Sequence, residues 1–239
     1  MSYVLLLTAT IHPRHSNLTN GRNNPLEREN DYYDAVLFYL SQGFKVVFVE
    51  NSNTVSEKII SLKTRFENFE YHSFETKASH LGKSAGEVEI FHYALDNSRL
   101  LKNVDYLVKV TGRYIIKNLM RLLNLTNEVE KEIYINPTRN LKWADSRLMI
   151  MRKSFFYKYF LKAVDLYLDE EKKVYMEQTY MRSLFLYLLD GGDFSLWPTY
   201  PIYNAYDGTH NEKISFNLLK EWKYYIYYKL KKFAFKHRA

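Results

Sequence analysis

A chain of 239 residues with 34 Lys and Arg against 27 Asp and Glu carries a formal charge of +7, which favours an anionic partner over a cationic one. It has no cysteine, which excludes disulfides, thiolate zinc sites and cysteine nucleophiles. The short apolar run Tyr3 to Leu7 lacks a basic flank and reads as a first strand rather than a secretion signal, and no apolar stretch is long enough to span a bilayer, so a cytoplasmic protein of one large domain is expected.

Tyr3 to Thr8 opens the chain as a strand. A polar stretch, His12 to Glu29, follows and is expected to be a long loop of the kind that carries function. Its His12 and His15 offer a metal or acid/base pair, and its Arg14 and Arg22 offer phosphate contacts, the better reading of the loop. A helix is predicted over Tyr32 to Gln42, closed by Gly43. Phe44 to Val49 is a second buried strand, ended by Glu50-Asn51-Ser52-Asn53. A helix over Ser56 to Phe66 and a strand over Phe69 to Phe74 come next. Gly82-Lys83-Ser84 lacks the spacing of a phosphate-binding P-loop. Ser84 and Glu87 instead have the spacing of a capping box that opens a helix to about Leu101.

Tyr106 to Val110 is the central element. It is a β-branched apolar run of the type buried on both faces of a parallel sheet, and it ends in Thr111-Gly112-Arg113. Strands alternating with helices imply a doubly wound α/β sheet, whose ligands bind outside the carboxyl ends of the strands. Lys109 and Arg113 at such an end suit a phosphate; ordinary strand-end charges facing water fit equally well.

The second half is less regular. A basic helix over Ile116 to Leu125 precedes strands at Ile133 to Asn136 and Leu148 to Met151. Between those strands lies a polar segment with Trp143 and Asp145, a stacking side chain and a base or sugar-binding carboxylate; a buried aromatic beside a turn Asp fits equally well. Helices follow at Phe155 to Tyr167 and Met176 to Leu189. Glu177 near the start of the latter reads either as a general base or as compensation of the helix dipole. A Tyr- and Pro-rich loop, Trp197 to His210, leads to a basic helical tail, Ile214 to Ala239, whose Trp, Tyr and Lys suit lipid headgroups better than nucleic acid; a helix packing its aromatics on the domain is the alternative.

The order of these pieces resembles the nucleotide-sugar half of the GT-A glycosyltransferases over about residues 3 to 150. The carriers are Thr8-Ala9-Thr10 after the first strand, Glu50-Asn51-Ser52-Asn53 after the second, Lys83 to Leu95 as a later loop and helix, and Leu107 to Tyr114. The resemblance implies a GT-A-like, mainly parallel sheet flanked by helices. It also implies a single catalytic domain over 1–213, with a nucleotide-sugar half at 1–115 and an acceptor half at 116–213, before the tail at 214–239.

Thr8, Thr10, Glu50, Asn51 and Ser52 would hold the nucleoside, while Lys83, Lys109, Thr111 and Arg113 would hold the diphosphate. Arg113 would also assist catalysis, and Asp145 or Glu177 would act on the acceptor hydroxyl. Thr-Gly-Arg stands where the family carries an Asp-x-Asp metal motif, so a metal-independent design is expected. The chain looks like the small transferases of capsule and O-antigen assembly. A nucleotide sugar, a glycan or lipid-linked glycan acceptor, and the inner membrane face would then be its partners. A nucleotidyl- or phosphotransferase and a non-catalytic membrane or nucleic-acid binder are the alternatives.

Overall fold

The computed structural model describes residues 2–13, 21–207, 211–214 and 217–236. In chain order the elements are β1 (Tyr3–Ala9), α1 (Pro25–Ser41), β2 (Val46–Glu50), α2 (Glu57–Ile60), β3 (Phe69–Ser73), α3 (Lys83–Asn97), α4 (Arg99–Lys102), β4 (Tyr106–Thr111), β5 (Ile115–Ile116), α5 (Leu119–Thr126) and β6 (Ile133–Ile135). Then come β7 (Pro137–Thr138), β8 (Trp143–Ala144), β9 (Leu148–Arg152), α6 (Lys153–Phe155), α7 (Leu161–Tyr167), α8 (Met176–Leu189), β10 (Ser195–Leu196), β11 (Tyr203–Tyr206), β12 (Lys213–Ile214) and α9 (Leu218–Lys236).

Seven strands form the central sheet in the order β10-β6-β9-β4-β1-β2-β3. β1 pairs parallel with both β2 and β4, with Leu7 opposite Phe48 on one side and Val110 on the other. β9 alone runs antiparallel, between β4 and β6. The chain steps outward from β1 through β2 to β3, then returns to the other side of β1 as β4. In sheets with such a reversal, ligands bind outside the carboxyl ends of the strands at that point, here β1 and β4.

Alternation along the strands explains their unbroken apolar runs. Leu5, Leu7 and Ala9 face one core with Ala35 and Tyr39 of α1 and Leu122 of α5. Val4 and Leu6 face the other with Phe91 of α3, Phe156 and Tyr180. Each large side chain so buried contributes roughly 1.5–3 kcal/mol.

Several expected boundaries move. The helix after the first loop starts at Pro25, not Tyr32: Asn24 caps it by accepting from the Leu26 and Glu27 N–H groups, and Pro suits the first helical position. The predicted helix to Phe66 is α2 followed by a 3-10 turn, Ser61–Thr64. Ser84 is not a cap. Gly82 precedes the helix with φ +119°, Ser84 Oγ accepts from the Met176 N–H at 3.1 Å, and the Glu87 carboxylate turns to β1 and β4.

The predicted helix from Phe155 is interrupted by a π turn, Phe156–Phe160. The added residue lets Phe155, Phe156, Tyr159 and Phe160 all reach the core, as π-bulges do. Part of the expected Tyr/Pro loop is strand: β11 pairs with β5 and β12. The polar segment before β9 is a hairpin of β7 and β8.

Candidate functional site

The carboxyl ends of β1, β2 and β4 meet in one polar network. Gly112 makes this approach possible. Its N–H donates to Thr8 O at 2.9 Å, and a Cβ there would stand 2.6 Å from that oxygen and 3.2 Å from the Tyr32 ring.

Glu50 lies in the floor, fully buried. Its carboxylate accepts from the backbone N–H of Ile11 (3.0 Å), Ser52 (2.8 Å) and Thr54 (2.9 Å), and from the hydroxyls of Ser73 (3.1 Å) and Ser52. Both oxygens are consumed, so Glu50 braces the loops after β1 and β2 rather than facing a nucleoside. Ser52 Oγ accepts from the His12 N–H at 3.0 Å and shares this supporting role. Thr10 Oγ1 donates to Asn51 Oδ1 at 2.7 Å, and Asn51 Nδ2 donates to Gly86 O at 3.2 Å. These two side chains fix the first turn of the rim against α3.

Lys109 does not stand on the rim. It is 1% exposed and points from β4 toward α3. Its ammonium meets Glu87 Oε1 at 2.7 Å and donates to Ser146 O at 2.8 Å and Thr111 Oγ1 at 3.3 Å. Thr8 Oγ1 donates to the same Glu87 oxygen at 2.9 Å. The expectation of Lys109 as a phosphate ligand is therefore corrected, because a buried lysine must be paired, and Glu87 of α3 supplies the pair. The chain continues through Ser146, whose hydroxyl donates to Glu177 Oε1 at 2.9 Å. Thr8, Glu87, Lys109, Ser146 and Glu177 are thus one connected path from β1 to α8.

Asp145 is held differently. Arg147 grips both of its oxygens, Nε at 2.9 Å and a terminal nitrogen at 2.6 Å. Burial disfavours the Arg147 charge, but Asp145 more than offsets this and keeps the guanidinium more strongly protonated than an ordinary arginine. Both oxygens of Asp145 are thereby occupied by one side chain. Trp143 has Arg139 over its ring at 4.3 Å and Tyr175 at 6.3 Å between centroids.

The cations of the cleft are Arg113, Lys83 and a residue the sequence reading did not single out, Arg28. Arg28 is buried, and its guanidinium donates to Thr10 O (2.7 Å), Arg22 O (2.9 Å) and the Tyr32 hydroxyl (3.0 Å). It forms no ion pair among the described residues. Arg113 Nε is buried with no hydrogen-bond partner among them. Lys83 is exposed at the start of α3. Partial desolvation, followed by the charges of Arg113 and Arg28, holds its ammonium below the usual lysine range, while Glu170 and Asp207 pull the other way. The Glu170 carboxylate accepts from the Ser84 N–H at 2.5 Å, so one side-chain anion already sits on the first turn of α3, where anions are favoured.

Of the other loop residues, Arg22 is occupied by Asp31 (2.6 Å), Glu27 (3.0 Å) and the Tyr206 ring (4.1 Å), which corrects its reading as a phosphate contact. Arg14 and His15 lie outside the described residues. Among those described, no group of three His, Asp or Glu is placed to hold a metal, and no helix is long and apolar enough to cross a membrane. Arg28 was legible in principle: four residues before Tyr32, it shares that residue's helix face.

No family model and no curated protein matches the sequence. Among solved structures, the chain is similar to a protein from Desulfovibrio desulfuricans G20 assigned as a nucleotide-diphospho-sugar transferase. The identity is 11% and the TM-score 0.50, over 82% of this chain and 80% of that one. It also aligns with the inositol-1-phosphate CTP transferase of T. maritima, at 12% identity and TM-score 0.48, over 89% and 91% of the chains. A glycosyltransferase, GlyE, of Streptococcus pneumoniae TIGR4 aligns at 10% identity and TM-score 0.48, over 83% and 46%. At 11% identity the first likeness speaks to the fold, a mixed α/β sheet, mainly parallel and flanked by helices, like that of the nucleotide-diphospho-sugar transferase.

Proposed function

We propose that the chain is a glycosyltransferase that takes a sugar from a nucleotide-sugar donor and adds it to a saccharide, free or lipid-linked, in cell-surface polysaccharide assembly of the capsule or O-antigen kind. Residues 1–115 would form the donor half and 116–213 the acceptor half, at the cytoplasmic face of the membrane that carries such acceptors. The observation that carries this reading is the Nε of Arg113, buried and without a hydrogen-bond partner among the described residues, on a side chain whose charge, like that of Arg28, is felt by Lys83. A buried donor without a partner costs roughly 1–3 kcal/mol, and a diphosphate would satisfy it.

In this reading Arg113 and Lys83 meet the diphosphate, and Arg28 adds charge from below. As the bond from the sugar's anomeric carbon to the phosphate oxygen breaks, its electron pair stays on the nucleoside diphosphate, and the two cations stabilise that charge. The acceptor hydroxyl oxygen bonds to the anomeric carbon and gives its proton to a carboxylate. We assign that role to Glu177 in preference to Asp145, because among the described residues Glu177 meets only the Ser146 hydroxyl, whereas both oxygens of Asp145 are held by Arg147. Thr10 and Asn51 would border the nucleoside, with Glu50 and Ser52 as the frame beneath.

Titration calorimetry with UDP, GDP, CDP and dTDP, and nucleotide release from a panel of their sugars, test the reading. At least one diphosphate should bind, and Arg113→Ala should weaken it by about 10- to 100-fold, the worth of a charge-assisted hydrogen bond. Pyrophosphate release from a nucleoside triphosphate would instead establish nucleotidyl transfer. Absence of binding to all four diphosphates would refute the glycosyl-transfer reading.

A further inference from the structure

Helix α9 carries two opposite faces. At 100° per residue, Tyr224, Tyr228, Lys231 and Phe235 fall on one side, and this side packs on the domain. Tyr224 stacks on Tyr200 with centroids 4.8 Å apart, Tyr228 is 2% exposed, and Phe235 meets Phe194 at 6.3 Å. Lys231 donates to Asn136 Oδ1 at 2.6 Å and to Pro137 O. The helix is thereby fixed in its rotation about its own axis.

The side turned away from the domain is a stripe of large apolar residues: Leu219, Trp222, Ile226, Leu230 and Phe233. Leu219 is 80% exposed, Trp222 67% and Leu230 64%. Such a stripe is costly to leave in water and marks an interaction surface. Its borders are cationic and aromatic. Lys223 lies against one edge and Lys229 along the other, and exposed Tyr225 and Tyr227 flank the stripe; Lys232 instead donates to Pro198 O of the domain at 3.1 Å.

We propose that this face of α9 is a membrane-surface anchor that lies in the interface of an anionic bilayer. Leu219, Trp222, Ile226, Leu230 and Phe233 would enter the acyl boundary, and Lys223 and Lys229 would meet the phosphates. An apolar stripe bordered by lysines and aromatic rings is the pattern of an interfacial helix. Charge selects the occupant. A second copy seated on the same stripe would bring the lysines together, whereas lipid phosphates complement them. Aliphatic Leu219, Ile226 and Leu230 offer nothing to the bases or phosphates of a nucleic acid. The inference does not depend on the transferase reading, because the stripe is built on α9 and not from the cleft residues.

The test is sedimentation of the full chain with vesicles of phosphatidylcholine alone or mixed with phosphatidylglycerol, read alongside tryptophan emission. The chain should sediment with the anionic vesicles and much less with the neutral ones, with a blue shift that Trp222→Phe diminishes. Lys223→Gln with Lys229→Gln should weaken partitioning about thirtyfold, from the worth of two lysines at an anionic surface. Trp222→Glu with Leu230→Glu should abolish it. Both positions are exposed, so circular dichroism and nucleotide binding should stay unchanged. Failure to bind anionic vesicles at low salt overturns the proposal. So does vesicle binding that survives the Glu pair, or self-association in solution that the Glu pair removes, which would make the stripe a contact between copies.

Discussion

Replacing Lys109 by Met separates support of the cleft from contact with a ligand. Lys109 is 1% exposed and Glu87's side chain 19%, and their charged atoms are 2.7 Å apart. Removing one partner of a buried pair costs about 3–5 kcal/mol, since the other charge is left uncompensated. Glu87 keeps some solvent and the Thr8 hydroxyl, so the lower end, about 3 kcal/mol, applies. For a chain of this size each kcal/mol moves Tm by about 2–4 °C, so the variant should melt about 6–12 °C lower. Glu87→Leu should cost a similar amount. The double variant Lys109→Met with Glu87→Leu should fall well short of the sum, because it removes both charges together. Scanning calorimetry of all four proteins gives the cycle, and nucleoside diphosphate titration below the melting range gives the second readout. Unchanged Tm in Lys109→Met, together with lost nucleotide binding, would refute the buried-brace argument and return Lys109 to the rim.

Further outcomes follow from the same geometry. Gly112→Ala forces a methyl group to within 2.6 Å of Thr8 O; overpacking of that kind costs about 1–3 kcal/mol and should lower Tm and weaken nucleotide binding together. Glu170→Gln removes an anion from the first turn of α3. It should cost about 0.3–1 kcal/mol of stability yet tighten diphosphate binding, which calorimetry will show as a lower Kd. Burial, only partly countered by Asp145, holds the Lys231 ammonium down to about 8, below the unfolded value of about 10.4. The unfolded chain then binds more protons between these values, so stability should rise as pH goes from about 8 to 10. Lys231→Met should flatten that rise in denaturant titrations.

The sheet was largely legible because its strands are apolar on both faces, as Val46 to Val49 and Tyr106 to Val110 show. What escaped was decided by partners distant in sequence. Lys109 looks like a strand-end cation until Glu87, on the neighbouring helix, is placed against it. Glu50 looks like a ligand residue until the Ile11, Thr54 and Ser73 donors converge on it. The start of α1 was present as Asn24-Pro25, a cap followed by a first-turn proline, but the surrounding polar residues masked it. The hairpin of β7 and β8 turns through Arg139, Asn140 and Leu141, all at positive φ and none a glycine. Of the three only Asn140 is of a type that favours this conformation; Arg139 and Leu141 rarely adopt it, so no turn signal marked their positions. Strain of this kind is held by surrounding structure rather than by local preference.

One carboxylate, that of Glu50, ties together the segments that leave two neighbouring strands. Mutational scanning around the cleft will meet a trap there. Truncating Glu50 would unfasten the Ile11 and Thr54 segments at once, so lost nucleotide binding in such a variant would follow from the collapsed loops alone. A dead variant at this position would report on masonry, and only substitutions at side chains standing above it can report on what the crevice receives.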